Sequence, residues 1–176
     1  TGHRPQKFTF GLDEESGDCI LLKRKLLAQI QEMRKKGVTT FLTGMSMGVD
    51  IWAAELILEL KAGLPQEDIR LIAVIPHEGQ ANKWSVDYRN RYFHILSHVE
   101  DAVLISSDYT KSCIHERNRY LVDNSAHMIA AYKGTPGRTQ RTVEYAIRKG
   151  LCITIINPDD IAIQNIPRFR GLKLLK

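Results

Sequence analysis

The sequence predicts an α/β fold, a doubly wound and mostly parallel sheet with helices on both faces, on three observations. Short apolar, β-branched runs recur along the chain, among them VTTFLT (residues 38–43), IRLIAVIP (69–76) and LCITIIN (151–157). Stretches with apolar residues at helical spacing separate them. Polar or glycine-bearing loops follow the strands. Apolar runs of this kind suit strands buried on both faces, and the alternation of strand and helix suits parallel crossovers. In such a Rossmann-like arrangement, ligands sit outside the carboxyl ends of the strands.

The 176 residues are 43% hydrophobic and 26% charged, enough for one domain with a real core. We read residues 1–158 as that domain and 159–176 as a polar, basic tail. The chain opens in mid-motif at Thr1, so a first strand is expected ahead of it. A net charge of +5 is compatible with nucleotides or nucleic acid. The basic residues are spread out, however, and Lys23–Lys25 and Arg34–Lys36 read as the solvated face of a helix. Cys19, Cys113 and Cys152 form neither a metal-ligand spacing nor an even disulfide set, which points to a reduced, cytoplasmic setting. Cys113, near a helix start, reads as a packing residue. No apolar run approaches the roughly 20 residues needed to span a bilayer, so no membrane partner is expected.

Taken in order, TGHRP (residues 1–5) offers Gly2, where backbone can approach a ligand, and His3 and Arg4, which could meet its phosphate or base. Leu22, Leu26, Ile30 and Met33 form a helical stripe that Gly37 ends. The strand 38–43 then leads into GMSMGVD (44–50) and a helix from Ile51 to Leu60. In that loop, Ser46 and the amides around Gly48 could bind phosphate at the helix start and Gly44–Gly48 could enclose a nucleoside, although the loop carries neither phosphate fingerprint. Asp50 could cap the helix or accept from a ribose hydroxyl, capping being the blander role. Glu55 and Glu59 face either a pocket or the helix's wet edge.

After strand 69–76, HEGQ presents His77 and Glu78 at a strand end. A helix follows through Tyr88, Tyr92 and Ile95. His94 and His98 are one turn apart but lack a third ligand in reach, so no metal is expected. AVLIS (102–106) is the next strand, followed by SSDYT.

The stretch from Cys113 to Gly150 reads as helix, strand (His127–Tyr132), loop and helix. On the first helix Ile114, Arg117 and Leu121 share a face. A guanidinium on a buried stripe needs an anionic partner, either a structural carboxylate or a ligand phosphate. The loop holds Gly134, Thr135, Gly137, Arg138 and Thr139, and a helix starting near Thr139 ends at Arg148–Gly150. A helix N-terminus reached through such a loop is a ready anion site. TGHRP, GMSMGVD, HEGQ, SSDYT and KGTPGRT all fall on one rim of the predicted sheet.

TGHRP, LTGMSMGVDIWAAE (42–55), the Gln80–Trp84 segment and RNRYLVDNSAHMIAAYKG (117–134) together resemble the SLOG superfamily, in particular its YpsA-like bacterial family, from Thr1 to about Pro158. The resemblance implies a Rossmann-like domain, with a strand just before TGHRP, that senses or processes a nucleotide-derived ligand. NAD, ADP-ribose or a nucleoside phosphate could be bound, with no cofactor required.

HERNRYLVDNSAHMIAAYKGTPGRT (115–139) is also similar to the core of the Lonely Guy phosphoribohydrolases, which pair an Arg-Lys on the helix with a Pro-Gly-Gly-x-Gly-Thr-x-x-Glu loop. Arg117 matches the arginine, Asn118 replaces the lysine, and Gly134, Gly137 and Thr139 match the loop, with Arg138 inserted. The glutamate falls on Thr142, or on Arg141 without the insertion. Glycoside cleavage wants a carboxylate near the sugar, and Glu144 lies about 200° around the helix from Thr142, where it should pair with Arg148.

Binding without hydrolysis is therefore the leading expectation. A nucleotide N-glycosidic hydrolase using Glu55 or Glu78 is the alternative. Nucleic-acid binding, suggested by a broader likeness to DNA-processing protein A, is weaker, because aromatic and basic residues do not interleave. Self-association through apolar helix faces is compatible with the sequence.

Overall fold

A computed structural model describes residues 1–167. Helix α1 (Gly17–Lys35) buries the predicted stripe, Leu22, Leu26, Ile30 and Met33, together with Cys19. Its end explains where the first strand begins. Gly37 takes a left-handed φ of 86°, and the Val38 and Gly37 amides donate back to Met33 and Arg34. That closing motif uses up the Val38 N–H, and strand β1 runs only from Thr40 to Thr43.

The chain then alternates as expected: α2 (Val49–Gly63), β2 (Arg70–Ile75), α3 (Val86–Leu96), β3 (Asp101–Leu104), α4 (Cys113–Asp123), β4 (His127–Ala131), α5 (Arg138–Arg148), β5 (Cys152–Ile156) and β6 (Ile163–Ile166). The strands pair as β1–β2–β3 and as β4–β5–β6. All pairs are parallel except β5–β6, in which Ile153 faces Ile166. β6 falls in the segment read as a tail. It holds on through Ile166, which joins the Val122–Ala146–Ile153 cluster, and through the Thr154 hydroxyl, which donates to Asn165. The rest of the tail, residues 168–176, lies outside the described residues.

Thr1–His3 run beside β4 in the parallel sense. Gly2 bridges Ala131, and Ala131 N–H and His3 N–H complete a short ladder to Thr1 and Ala131 carbonyls, each at 3.0 Å. Between β1 and β4 lies a mainly apolar cleft of about 310 Å³, lined by Leu26, Ile30, Phe41, Met128 and Ile129 among others.

The larger core cluster joins α2 to β2 and α3 through Ile51, Ile57, Leu71, Tyr92 and Ile95. A second cluster packs Phe8, Leu22, Leu26, Val49 and Trp52 against Ala131 and Ile156. Together they fix the ends of α2, β4 and the N-terminal segment, the parts that surround the site. Among the described residues, no helix is long and apolar enough to cross a membrane.

Candidate functional site

Three segments and one helix face meet in a cleft of about 240 Å³. Thr1–Arg4, Gln6 and Lys7 form one wall, and Ser46 and Asp50 form another. Ile114, Arg117 and Asn118 enter from α4, and Pro136–Thr139 close the cleft at the start of α5. Of the residues expected here, Gly2, His3, Arg4, Ser46, Asp50, Arg117, Gly137, Arg138 and Thr139 line it. Gly44, Gly48, Gly134 and Thr135 are not among the residues that line it.

Arg117 is the central side chain, 5% exposed. Its Nη1 donates to the Gly44 carbonyl and lies 3.5 Å from the Asp50 carboxylate. Its Nη2 donates to the Ser46 hydroxyl at 3.1 Å. The structural carboxylate demanded by the buried stripe is therefore Asp50. Yet Nε is buried with no partner, an uncommon state for a charged donor. Burial pulls the Arg117 pKa below its ordinary value, Asp50 opposes that, and Arg4 and Arg138 add to it. A guanidinium stays charged in proteins, so this crowding of cations favours an added anion.

Helix α5 supplies the second half of the site. Ser16 and Ser85 cap α1 and α3 with hydroxyl oxygens, and Thr110 does so for the Cys113 amide of α4. α5 begins at Gly137 with no side-chain cap and no acidic residue in its first turn, where Arg138 stands instead. Its first amides are open to an anion. Gly134 reaches φ 81° in the loop before it, and a side chain there would meet nothing within 4 Å. The glycine serves the turn rather than close packing.

The other glycines do the opposite. A Cβ at Gly44 would collide with the Arg117 guanidinium, and one at Gly48 would come within 2.9 Å of Pro5 Cδ. Gly48 also holds φ 86°. The N-terminal segment thus lies over the start of α2, and α5 is the open helix start. Met45, buried at φ 56°, carries the loop's strain, and its carbonyl accepts from Gln80 Nε2.

His3 joins the two walls. Its Nε2 accepts from the Lys133 amide at 3.4 Å and lies 3.5 Å from the Thr135 hydroxyl. Burial lowers its pKa, and Lys133 and Lys7 lower it further. The neutral ring therefore holds the Lys133–Thr135 loop against the N-terminal segment. Thr139 adds a hydroxyl bond to the Gly2 carbonyl at 3.3 Å.

Several expectations are corrected. Asp50 does not cap α2: Gly48 holds the N-cap position, and Asp50 accepts from the Ser46 amide at 3.2 Å while pairing with Arg117. Glu55 lies outside the cleft, where its oxygens accept from Arg91 at 2.6 and 2.8 Å. Glu78 is exposed, also outside the cleft. HEGQ and SSDYT do reach the rim, but they contact each other: Glu78 N–H donates to the Ser107 carbonyl and His77 packs edge-on against Tyr109. Glu144 accepts from Gln140 rather than Arg148, because Arg148 lies over the Tyr145 ring. Lys23 is no solvated charge; it bonds Glu14 at 2.6 Å and sits 5.5 Å over Trp52. Cys113 is buried, and its thiol donates to the Thr110 carbonyl. His98 Nδ1 is engaged by the His94 carbonyl at 2.8 Å.

Gln6, Lys7, Ile114 and Pro136 line the cleft without having been singled out. The signal for Ile114 was its place on the Arg117 stripe, one turn earlier. Asn118 and Thr142 meet directly. Asn118 Nδ2 donates to Thr142 Oγ1 at 2.9 Å, and that hydroxyl donates to the Arg138 carbonyl. Among the described residues, Asp50 is the one carboxylate lining the cleft.

Comparison with known proteins agrees with this geometry's place in the chain. The model of the YspA SLOG family (YpsA) matches residues 1–161. The UPF0398 proteins of Bacillus thuringiensis (strain Al Hakam) and Bacillus cereus (strain B4264) are each 28% identical to the chain over 158 residues, covering 85% of it and 82% of the relative. The family match spans every wall of the cleft, from Gly2 to Thr139, and the chain belongs to the YspA SLOG family.

Proposed function

We infer that the cleft binds a nucleotide-derived ligand, of the NAD, ADP-ribose or nucleoside-phosphate kind, and does not hydrolyse it. The observation that carries this reading is Arg117, a buried guanidinium with an unpartnered Nε beside an uncapped helix start. A phosphate is the kind of partner that both lack. Arg4, Lys7 and Arg138 line the same cleft and add charge. Asp50 is the acceptor for a sugar hydroxyl, the interaction that would set a nucleotide apart from a bare phosphate.

Against hydrolysis stand the positions of the carboxylates. Glu55 is bound to Arg91, Glu78 is outside the cleft, and Thr142 occupies a relative's glutamate position in a hydrogen bond with Asn118. Among the described residues, the one carboxylate lining the cleft is Asp50, which is paired with Arg117, and glycoside cleavage needs a free acid.

The test is calorimetric titration of the purified protein with ADP-ribose, NAD and AMP, followed by chromatography of each mixture. Saturable heat with intact nucleotide is expected. No heat and no thermal shift with any of the three would overturn binding, and a released base would overturn its non-hydrolytic character.

A further inference from the structure

Arg4 and Lys7 reach the cleft on a segment that is attached to the rest of the molecule in an unusual way. Among the described residues, the backbone–backbone hydrogen bonds of residues 4–15 all stay inside the segment and its junction with α1: Lys7 to Arg4, Phe8 to Pro5, Gly11 to Phe8, Asp13 to Phe10 and Ser16 to Asp13. No ladder joins it to the sheet beyond His3. Side chains alone hold it down. Pro5 seats against Gly48. Phe8 and Phe10 stack on each other at 4.9 Å, and both lie against Trp52.

The far end is held by one carboxylate. Glu14 accepts from Arg91 Nη1 at 2.7 Å and Nη2 at 3.2 Å, from Lys23 Nζ at 2.6 Å and from the Tyr88 hydroxyl at 2.7 Å. Arg91 also donates from Nε and Nη2 to Glu55. One guanidinium on α3 therefore ties the segment to α2, whose first turn carries Asp50. Burial works against a charged Glu14, and the hydrogen bonds from Arg91, Lys23 and Tyr88 overcome it.

We propose that residues 4–16 form a strap over the anion cleft and that Glu14 is its latch: losing that anchor lowers the free energy at which the whole strap, with Arg4, Gln6 and Lys7, opens away from the bound ligand. A segment with no backbone ladder to its neighbours opens as a local unit, at a free energy set by its few anchors. Pro5 and the Phe8–Phe10–Trp52 stack anchor its cleft end and its middle, and Glu14 is the anchor nearest α1. In the ligand-bound protein the two ends reinforce each other: the anion holds Arg4 and Lys7, and Glu14 holds the strap that carries them. The consequence for affinity rests on the nucleotide-binding reading; the latch itself does not.

Hydrogen exchange of the full chain separates the two. In ligand-free protein, Glu14→Gln should raise exchange across residues 5–16 at least about tenfold, with β4 and β5 unchanged. Tyr88→Phe, which removes one of the four bonds, should give a smaller rise in the same residues. Unchanged strap exchange in both variants would overturn the latch, as would acceleration spread evenly over the domain. Titration with AMP and ADP-ribose then tests the coupling. Strap protection by a bound nucleotide, with about tenfold weaker binding to Glu14→Gln, supports it. Binding that protects the start of α5 but leaves the strap exchanging freely overturns it. If neither nucleotide binds the wild-type protein, the ligand reading fails while the ligand-free comparison still decides the latch.

Discussion

Arg117 and Asp50 form a buried ion pair, 3.5 Å apart and both less than a tenth exposed. It joins α4 to the first turn of α2 across the floor of the cleft. A pair of this kind is weak evidence for stability while intact, but breaking it leaves an uncompensated buried charge. Arg117→Met should therefore lower stability by about 3–5 kcal/mol, read by urea denaturation. Arg117→Lys should recover little, because one ammonium cannot reach Gly44, Ser46 and Asp50 together.

Gly44 makes that pair possible. Gly44→Ala puts a methyl group where the guanidinium lies, so it should cost about 1–3 kcal/mol and abolish nucleotide binding together. A variant with wild-type stability and affinity would show that the arginine has room to move.

Glu55 separates a structural carboxylate from a catalytic one. Glu55→Gln weakens two bonds to Arg91 and should lower stability by about 1.5–3 kcal/mol. Nucleotide affinity and the chromatographic blank should not change. Loss of a measurable hydrolytic activity in this variant would restore the hydrolase reading.

His3 predicts a mild-acid effect. Its folded pKa lies below 6.5, so the unfolded chain binds the proton more readily. The stability is fully present above the unfolded pKa and is lost as pH falls through the folded value. Lys133 and Lys7 face the ring and sharpen the effect, while Asp159 opposes it. Denaturation between pH 7 and pH 5 should show the slope in wild type and its loss in His3→Gln. Glu14 acts further down: its pKa is held at about 2 by Arg91, Lys23 and Tyr88. Its contribution is present above the ordinary carboxylate range and disappears only as pH falls toward 2.

Much of this was legible in the sequence because it is local. The Arg117 stripe, the glycine loop and the open start of α5 each lie within a few residues, and periodicity or turn chemistry reports them. The contacts that were missed are long-range. Glu14 and Arg91 are 77 residues apart; Lys23 looked like an ordinary exposed cation because its partner Glu14, 9 residues away, precedes the helix that carries it. Gly44 read as a ligand-approach glycine, although it makes room for a side chain 73 residues away. Five loops fall on the strand ends, yet strand order divides them: the loops after β2 and β3 face each other, and those around β1 and β4 form the cleft. Sequence gives the rim but not the neighbours along it.

The account is tested most directly by mapping backbone amide shifts during titration with ADP-ribose, NAD and AMP. It predicts that at least one of them moves Gly2, Ser46 and Gly137–Thr139 together, in a saturable way. Shifts confined to the His77–Tyr109 side of the rim, or none with any of the three, would contradict it.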